Sequence, residues 1–405
     1  MVSIKLTALT LLGAFLIFTM PATTSSSQEP SQDDVKALQA ITEGSNKFAI
    51  DLYQAIKKPG ENIIVSPISA QIVLALAYTG AKENTAKELA NVLHLPDNID
   101  EVLRGHKLLI QHLENPVLKL ATKMFIEKTL EVKPEFQQNA ANYFLSDAGL
   151  VSFVKDPEGA RKEINHWVEQ KTNDKIKDLL AEGSIDPLTR MVLTNAIHFK
   201  ANWESKFDPD LTEDGDFFVT PENKVKVKMM MKKKKFPFRM HQELDAKILE
   251  MPYAGNEFKM IIILPNKIDG LAEVENKLAS SDLSELLRGL HEVEVNVKLP
   301  RFKIEKTMEL KDILIGMGIK DIFDEAKANL TGISNEHLYA SKVVQKAFIE
   351  VNEEGTEAAA ATALVMVAYS SLVIYPQEDF HADHPFLYIL KKDNMITFMG
   401  SVKST

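Results

Sequence analysis

A catalytic or metal-binding chain brings Cys, His, Asp, Glu, Ser or Lys together at telling intervals, and this sequence does so only weakly. It has no cysteine, which removes disulfides, thiolate metal sites and Cys nucleophiles. No Gly-x-Ser-x-Gly elbow, phosphate-cradling Gly loop or His-Glu-x-x-His pair occurs. His381-Ala382-Asp383-His384 comes nearest to a metal cluster, but it borders a strand-like run, where residues i and i+3 point to opposite faces. It reads as a polar strand entry. His198 lies in an apolar run and reads as a hydrogen-bonded core or rim residue. The densest basic patch is Lys232, Lys233, Lys234 and Lys235, with Lys224, Lys226, Lys228 and Arg239 nearby. It is either a weak polyanion site or a solvated loop between strands. No metal, cofactor or catalytic residue is expected, and the chain is not expected to be an enzyme.

The segment that does carry a signal is 353–370, EEGTEAAAATALVMVAYS. Four consecutive alanines suggest a helix by propensity. At period two, however, Thr356, Ala358, Ala360, Thr362, Leu364 and Met366 share one face, all small or apolar. Over 356–367 the one charge, Glu357, lies on the other face. Such a stretch is narrow enough to enter between strands that are already paired. Gly355 supplies a pivot at its start, and Val343–Val351 reads as a strand leading into it. An Ala-rich surface helix and a plain linker remain open on pattern alone.

The elements that would hold this segment follow from the rest of the chain. Its 405 residues are 45% hydrophobic and 26% charged, enough for a large core. The net charge of −10 argues against nucleic acid as a partner. Lys5 followed by the apolar run Leu6–Met20 is too short to span a membrane, which takes roughly 20 residues, and reads as a signal peptide. We place it at 1–22, with cleavage as late as 27, followed by an N-terminal tail to residue 44 and one domain over 45–405. A secreted, extracellular monomer without a membrane span is expected. Asn329-Leu330-Thr331 is a glycosylation sequon consistent with that route.

Helical patterns dominate the first half. Ser66-Pro67 reads as N-cap and N1 of a helix ending near Gly80. Thr85–Glu88 reads as a capping box, and Asp156-Pro157 opens a helix carrying Ile164, Trp167, Val168, Ile176 and Leu180. Strand patterns dominate later, over 192–199, 260–264 and the cleanly alternating 291–299. Phe386–Leu390 and Met395–Met399 read as a hairpin with a four-residue loop. Helices first and strands later indicate an α+β fold with antiparallel sheets.

Val351–Ala361 (VNEEGTEAAAA) resembles the hinge signature of inhibitory serpins, suicide-substrate inhibitors of serine proteases. Three further stretches are similar to the family in the right order: Asn62–Ser69, Thr194–Trp203 and Phe380–Tyr388. The resemblance spans nearly all of the chain from about residue 45. It implies a serpin fold of about nine helices and three β-sheets, with an exposed reactive-centre loop over about 353–378. The hinge would comprise Glu353, Glu354, Gly355, Thr356, Glu357, Ala358, Ala359, Ala360 and Ala361. Ser66, Ser69, Asn195, Trp203 and Gln345 would control opening of the main sheet. Many serpins carry His where this chain has Gln345, so pH control by that His is expected to be missing.

The resemblance also implies a mechanism. A target protease attacks one loop bond with its own serine, and the cut loop then inserts as a strand of the main sheet. Counting as in typical members puts the scissile bond at Tyr369–Ser370, with Leu372 as the main alternative. Tyr suits a chymotrypsin-like protease; Val367 or Ala368 would suit an elastase-like one. No Lys or Arg lies between Phe348 and Leu390 for a trypsin-like one. The competing reading is a non-inhibitory serpin that carries a ligand or acts as a chaperone.

Overall fold

The computed structural model describes residues 31–280, 283–356 and 377–404. In chain order these form α1 (Gln32–Ile56), β1 (Ile63–Val65), α2 (Pro67–Gly80), α3 (Glu83–Val92), α4 (Ile99–Leu113), β2 (Leu118–Glu127), α5 (Pro134–Phe144), β3 (Ala148–Val151), α6 (Pro157–Lys171), β4 (Met191–Phe199), β5 (Ala201–Asn202), β6 (Glu213–Thr220), β7 (Asn223–His241), β8 (Ala246–Pro252), β9 (Phe258–Pro265), α7 (Leu271–Leu278), α8 (Leu283–Leu287), β10 (His291–Pro300), β11 (Phe302–Glu309), α9 (Lys311–Met317), β12 (Lys342–Val351), β13 (Gly355–Thr356), β14 (Gln377–His381), β15 (Phe386–Lys392) and β16 (Met395–Val402). The mixed α+β architecture and the nine α-helices among the described residues match expectation. The expected signal peptide, Glu357–Ala361, Val367, Ala368, Tyr369-Ser370 and Leu372 lie outside the described residues.

One seven-stranded sheet runs β3-β2-β4-β12-β13-β5, with β11 on the far side of β12. The other nine strands are continuous through β7, which at 19 residues is long enough to belong to two sheets. It pairs with β6 and β10 over most of its length and with β8 at its end. Divided there, the described residues form three sheets. β4 is buried along its whole length, with α2 on one face and the cluster of Phe125, Ile164 and Val168 beneath α6 on the other. That is why it reads as an unbroken apolar run.

Several local expectations change. The Lys232–Lys235 run is the middle of β7, because Val225, Val227 and Met229 alternate with lysines and bury one face. Thr85 lies inside α3, whose N-cap is Lys82. Its hydroxyl accepts from the Asn329 amide at 3.0 Å, while Glu88 accepts from the Lys320 and Asp321 amides, both at 2.7 Å. The Asp156 side chain does cap its helix, at Gly159 N (2.9 Å), but the helix ends at Lys171, leaving Ile176 and Leu180 as buried loop residues. In the C-terminal hairpin Lys391 and Lys392 belong to β15. Their ammonium groups reach Glu250 at 3.4 Å and Glu257 at 3.0 Å, so the loop is Asp393-Asn394 alone, with Asp393 at φ 49°.

Candidate functional site

β4 and β12 are both internal to the seven-stranded sheet, and they run parallel. Seven residue pairs bond them, from Lys342 opposite Val192 to Phe348 opposite His198. His198 is buried and stacks on Phe348 with ring centres 5.7 Å apart. This fits the core side of the core-or-rim role expected of it.

Beneath this seam lies a buried polar cluster built from three elements. Ser66, just before α2, donates its hydroxyl to Thr397 O at 2.8 Å rather than capping its own helix. The Gln345 carbonyl accepts from Ser66 N at 2.9 Å, and the Gln345 amide donates to Ser66 O at 2.8 Å and to Asn195 Oδ1 at 3.2 Å. Ser69 Oγ donates to Asn195 Oδ1 at 2.6 Å. Asn195 Nδ2 is buried without a partner among the described residues. Four residues named from the sequence thus meet in one network. A buried network of this kind makes each bond strong and each unmade bond costly.

Past Phe348 the two strands part, and the chain fills the gap itself. Asn352 turns it: Asn352 Oδ1 accepts from Glu354 N at 3.1 Å and Gly355 N at 3.3 Å. β13 then runs antiparallel to both β12 and β5, with Val351 opposite Thr356 and Gly355 opposite Asn202. Gly355 has φ 147°, and a Cβ there would lie 2.2 Å from Ala201 O, so no other residue fits. Thr356 is fully buried, with its hydroxyl 2.9 Å from Tyr253 OH. Residues 353–356 were expected at the base of an exposed loop. They are docked in the sheet instead, because their backbone groups complete two short ladders. At the far end, Gln377 and Glu378 belong to β14, paired with β10.

The docking rests mostly on residues that carry no signal in the sequence. Phe207 N donates to Glu353 O at 2.9 Å and Trp203 N to Glu354 O at 2.8 Å. Trp203 Nε1 donates to Asn352 O at 3.0 Å, and its ring stacks on Tyr253 at 4.4 Å. The Glu353 carboxylate accepts from Arg301 Nε at 2.6 Å and Thr212 Oγ1 at 2.5 Å, and Glu354 pairs with Lys206. Burial alone would raise the Glu353 pKa, but the Arg301 and Thr212 hydrogen bonds outweigh it and hold the carboxyl below its ordinary value. Burial raises that of the Tyr253 phenol. Of these partners only Trp203 stood out, through its place in the Thr194–Trp203 stretch. The others are scattered over a hundred residues with no local pattern.

The remaining candidates resolve as structure. Lys232 points inward, with its ammonium on the Ser205 and Lys206 carbonyls and 4.8 Å from the Phe207 ring. Burial, helped by the charge of Lys234, pulls its pKa down to about 7. Lys233 pairs with Glu294 at 2.9 Å, Lys234 with Glu204 at 3.6 Å, Lys228 with Asp214 at 2.8 Å, and Lys224 and Lys226 each with Asp216 at 2.7 Å. These pairs lie along β7, a strand rather than the loop expected. His384 is held between Asp383 and Pro265 O, each at 2.8 Å. Asn329 is part-exposed in a turn, donating to Glu83 at 3.1 Å and accepting from Thr331 Oγ1 at 2.7 Å.

Comparison with known proteins places this geometry. The family model described as serpin (serine protease inhibitor) matches residues 43–405. A leukocyte elastase inhibitor from Equus caballus is 37% identical over 91% of this chain and 100% of its own. Serpin B3 from Homo sapiens is 39% identical over the same shares. The crystal structure of Serpin48, a highly specific serpin of the insect Tenebrio molitor, superposes with a TM-score of 0.81 at 34% identity, covering 91% of this chain and 98% of that one. The expectation framed only as "not an enzyme" is corrected to a positive description, since both the family description and the relatives' names are those of protease inhibitors. With its serpin fold and a family match over residues 43–405, the chain belongs to the serpin family of serine protease inhibitors.

Proposed function

We propose that this protein is a secreted suicide-substrate inhibitor of a serine endopeptidase of chymotrypsin-like specificity, cut at Tyr369–Ser370. The observation that carries the reading is the seat of Gly355 and Thr356 as a third strand between β12 and β5. A strand whose first two residues already lie antiparallel to their neighbours extends by adding more of the same pairs. Each added pair gains main-chain hydrogen bonds and buries small side chains. Cleavage frees the arm to complete this movement. The acyl-enzyme is carried along before water can release it, and no residue of the inhibitor acts as acid, base or nucleophile.

Glu353–Ala361 serve as the hinge, and Ser66, Ser69, Asn195, Trp203 and Gln345 set the resistance of the sheet to opening. The relatives named as leukocyte elastase inhibitors favour an elastase-like protease as the second target, with the cut at Val367 or Ala368; Leu372 is the other alternative bond. The apolar run behind Lys5 supports export after removal of residues 1–22, and modification at Asn329 would follow that route.

The test is to incubate the purified protein separately with chymotrypsin, elastase and trypsin. A covalent adduct on denaturing gels with chymotrypsin, and a released peptide that begins at Ser370 by mass spectrometry, are the expected results. Cleavage without any adduct would overturn the inhibitory reading. A mature N-terminus at Met1 would overturn the secretory one.

A further inference from the structure

Lys232 sits apart from the other lysines of β7. Its register partner on β10 is Val297, whose own partner on β14 is Phe380, and both are fully buried. Register partners share a face of the sheet, so Lys232 projects from the face turned to the core. Its hydrogen bonds there go to carbonyls rather than to a carboxylate. The ammonium donates to Ser205 O and Lys206 O and lies 4.8 Å from the centre of the Phe207 ring. These residues form a bend just after β5, and the same bend seats the hinge. Trp203 N donates to Glu354 O at 2.8 Å, Phe207 N donates to Glu353 O at 2.9 Å, and Lys206 pairs with Glu354. The two carbonyls that Lys232 holds thus fall between the two amides that hold Glu353 and Glu354.

Ser205 and Lys206 lie in no strand, so no ladder fixes the bend from within. We propose that Lys232 is a positioning residue for the hinge, clamping the Ser205 and Lys206 carbonyls so that the Trp203 and Phe207 amides stay aimed at Glu354 and Glu353. Its effect on protease trapping rests on the inhibitory reading above. A clamped bend keeps Gly355 and Thr356 in register with β12 and β5, ready to extend. A loosened one delays insertion and gives water time to release the acyl-enzyme. The clamp also responds to pH. Burial, helped by the charge of Lys234, pulls the Lys232 pKa from 10.5 to about 7. The other charges at this corner are paired: Lys234 with Glu204, Lys206 with Glu354, and Arg301 with Glu353. Asp208 and Asp210, on the turn that follows, are exposed, while β10 and β14 present Val297 and Phe380. The seated lysine binds its proton less readily than one freed to water. Seating therefore gains as pH rises from 7 to 10.5 and is constant below that window. A neutral amine keeps enough N–H groups for both carbonyls.

Hydrogen–deuterium exchange of the uncleaved protein tests the clamp, with Lys232→Met, which keeps the stem and loses the donors, beside Lys232→Arg, which keeps both charge and donors. In Lys232→Met, exchange over 203–207 and 353–356 should quicken by roughly ten-fold, the scale of one or two lost hydrogen bonds, while exchange over α4 stays as it was. Lys232→Arg should restore most of the protection. Indifference of 203–207 to Lys232→Met, an equal rise over α4, or an arginine variant as loose as the methionine one would overturn the proposal. Between pH 7 and 9 the protection factors over 203–207 should rise in the parent protein. They should stay flat in Lys232→Arg, whose guanidinium keeps its proton; a rise of equal size in both would overturn the assignment of the titration to this lysine. With chymotrypsin, Lys232→Met should lower the fraction trapped as adduct and raise the fraction of cleaved inhibitor; an unchanged ratio would overturn the link from clamp to trapping. Failure of the parent protein to form any adduct would instead refute the inhibitory reading, while exchange over the bend would still decide the clamp.

Discussion

Gln345 of β12 and Asn195 of β4 are register partners across the parallel seam, and their side chains are hydrogen-bonded at 3.2 Å. Any strand that enters the seam must break this bond. Gln345 also satisfies both backbone groups of Ser66. Gln345→Ala would leave the buried Ser66 amide and the Asn195 carbonyl short of partners, at a cost of about 2–4 kcal/mol. We expect a lower melting temperature by calorimetry and faster spontaneous loss of inhibitory activity on warming. Gln345→His should keep the fold but make that loss depend on pH between 5 and 7, where the present chain has no titrating group in the network.

The Glu353 carboxylate should behave as an acid-sensitive tether. Its folded-state pKa lies below the ordinary 4.5, so the native state binds its proton less readily than the unfolded state. The stabilisation is therefore complete above about pH 4.5 and is lost as pH falls through the lower folded value. Trp203, bonded to Asn352 O, reports on the same corner. In a Trp167→Phe background its emission should hold steady from pH 8 to 5 and change only below that. Glu353→Lys, which sets an ammonium against Arg301, should give the acid-form spectrum at pH 7.

Thr356 and Gly355 test insertion itself. Thr356→Arg places a charge in a fully buried position beside Tyr253, at several kcal/mol if unpaired. It should convert the protein from inhibitor to substrate, with cleaved chain and no adduct on a denaturing gel. Gly355→Val meets Ala201 O before it can dock and should do the same. A stable adduct with either variant would count against strand insertion.

Changing the cut residue should change the enzyme. With Tyr369→Arg, trypsin should form the covalent adduct and chymotrypsin should lose it. Adduct formation that ignores residue 369 would move the scissile bond to Leu372 or Val367.

His106 supplies a stability signal away from the hinge. It is fully buried on α4, stacks on Phe144 at 5.3 Å and bonds Val102 O at 2.8 Å. Burial pulls its pKa down to about 4 from 6.5. The folded state therefore binds fewer protons between these values, so its contribution is complete above pH 6.5 and fades towards pH 4. The loss is roughly 3 kcal/mol. His106→Phe should flatten this part of the pH–stability curve measured by urea unfolding.

The sequence carried the strands whose two faces differ and those wholly buried, because side-chain period and apolar runs report them directly. It misplaced the Thr85 cap, the Lys391-Lys392 loop and the Lys232–Lys235 loop for one shared reason. In each case a polar side chain finds a partner distant in sequence, such as Asn329, Glu250 or Glu294, and local rules assume that polar residues meet water. The same holds at the hinge. Gly355 was legible because close backbone approach demands glycine there, whereas Tyr253, Arg301 and Thr212 carry no local mark of their task.

The direction of β4 and β12 has a consequence for polarity. Two adjacent strands that point the same way make a weaker ladder than two that oppose. A third segment threaded between them in the reverse sense swaps one parallel ladder for two antiparallel ones. The turn at Asn352 already sends the chain back in that sense, so a strand continuing from Thr356 into the seam would meet both neighbours in the more favourable orientation.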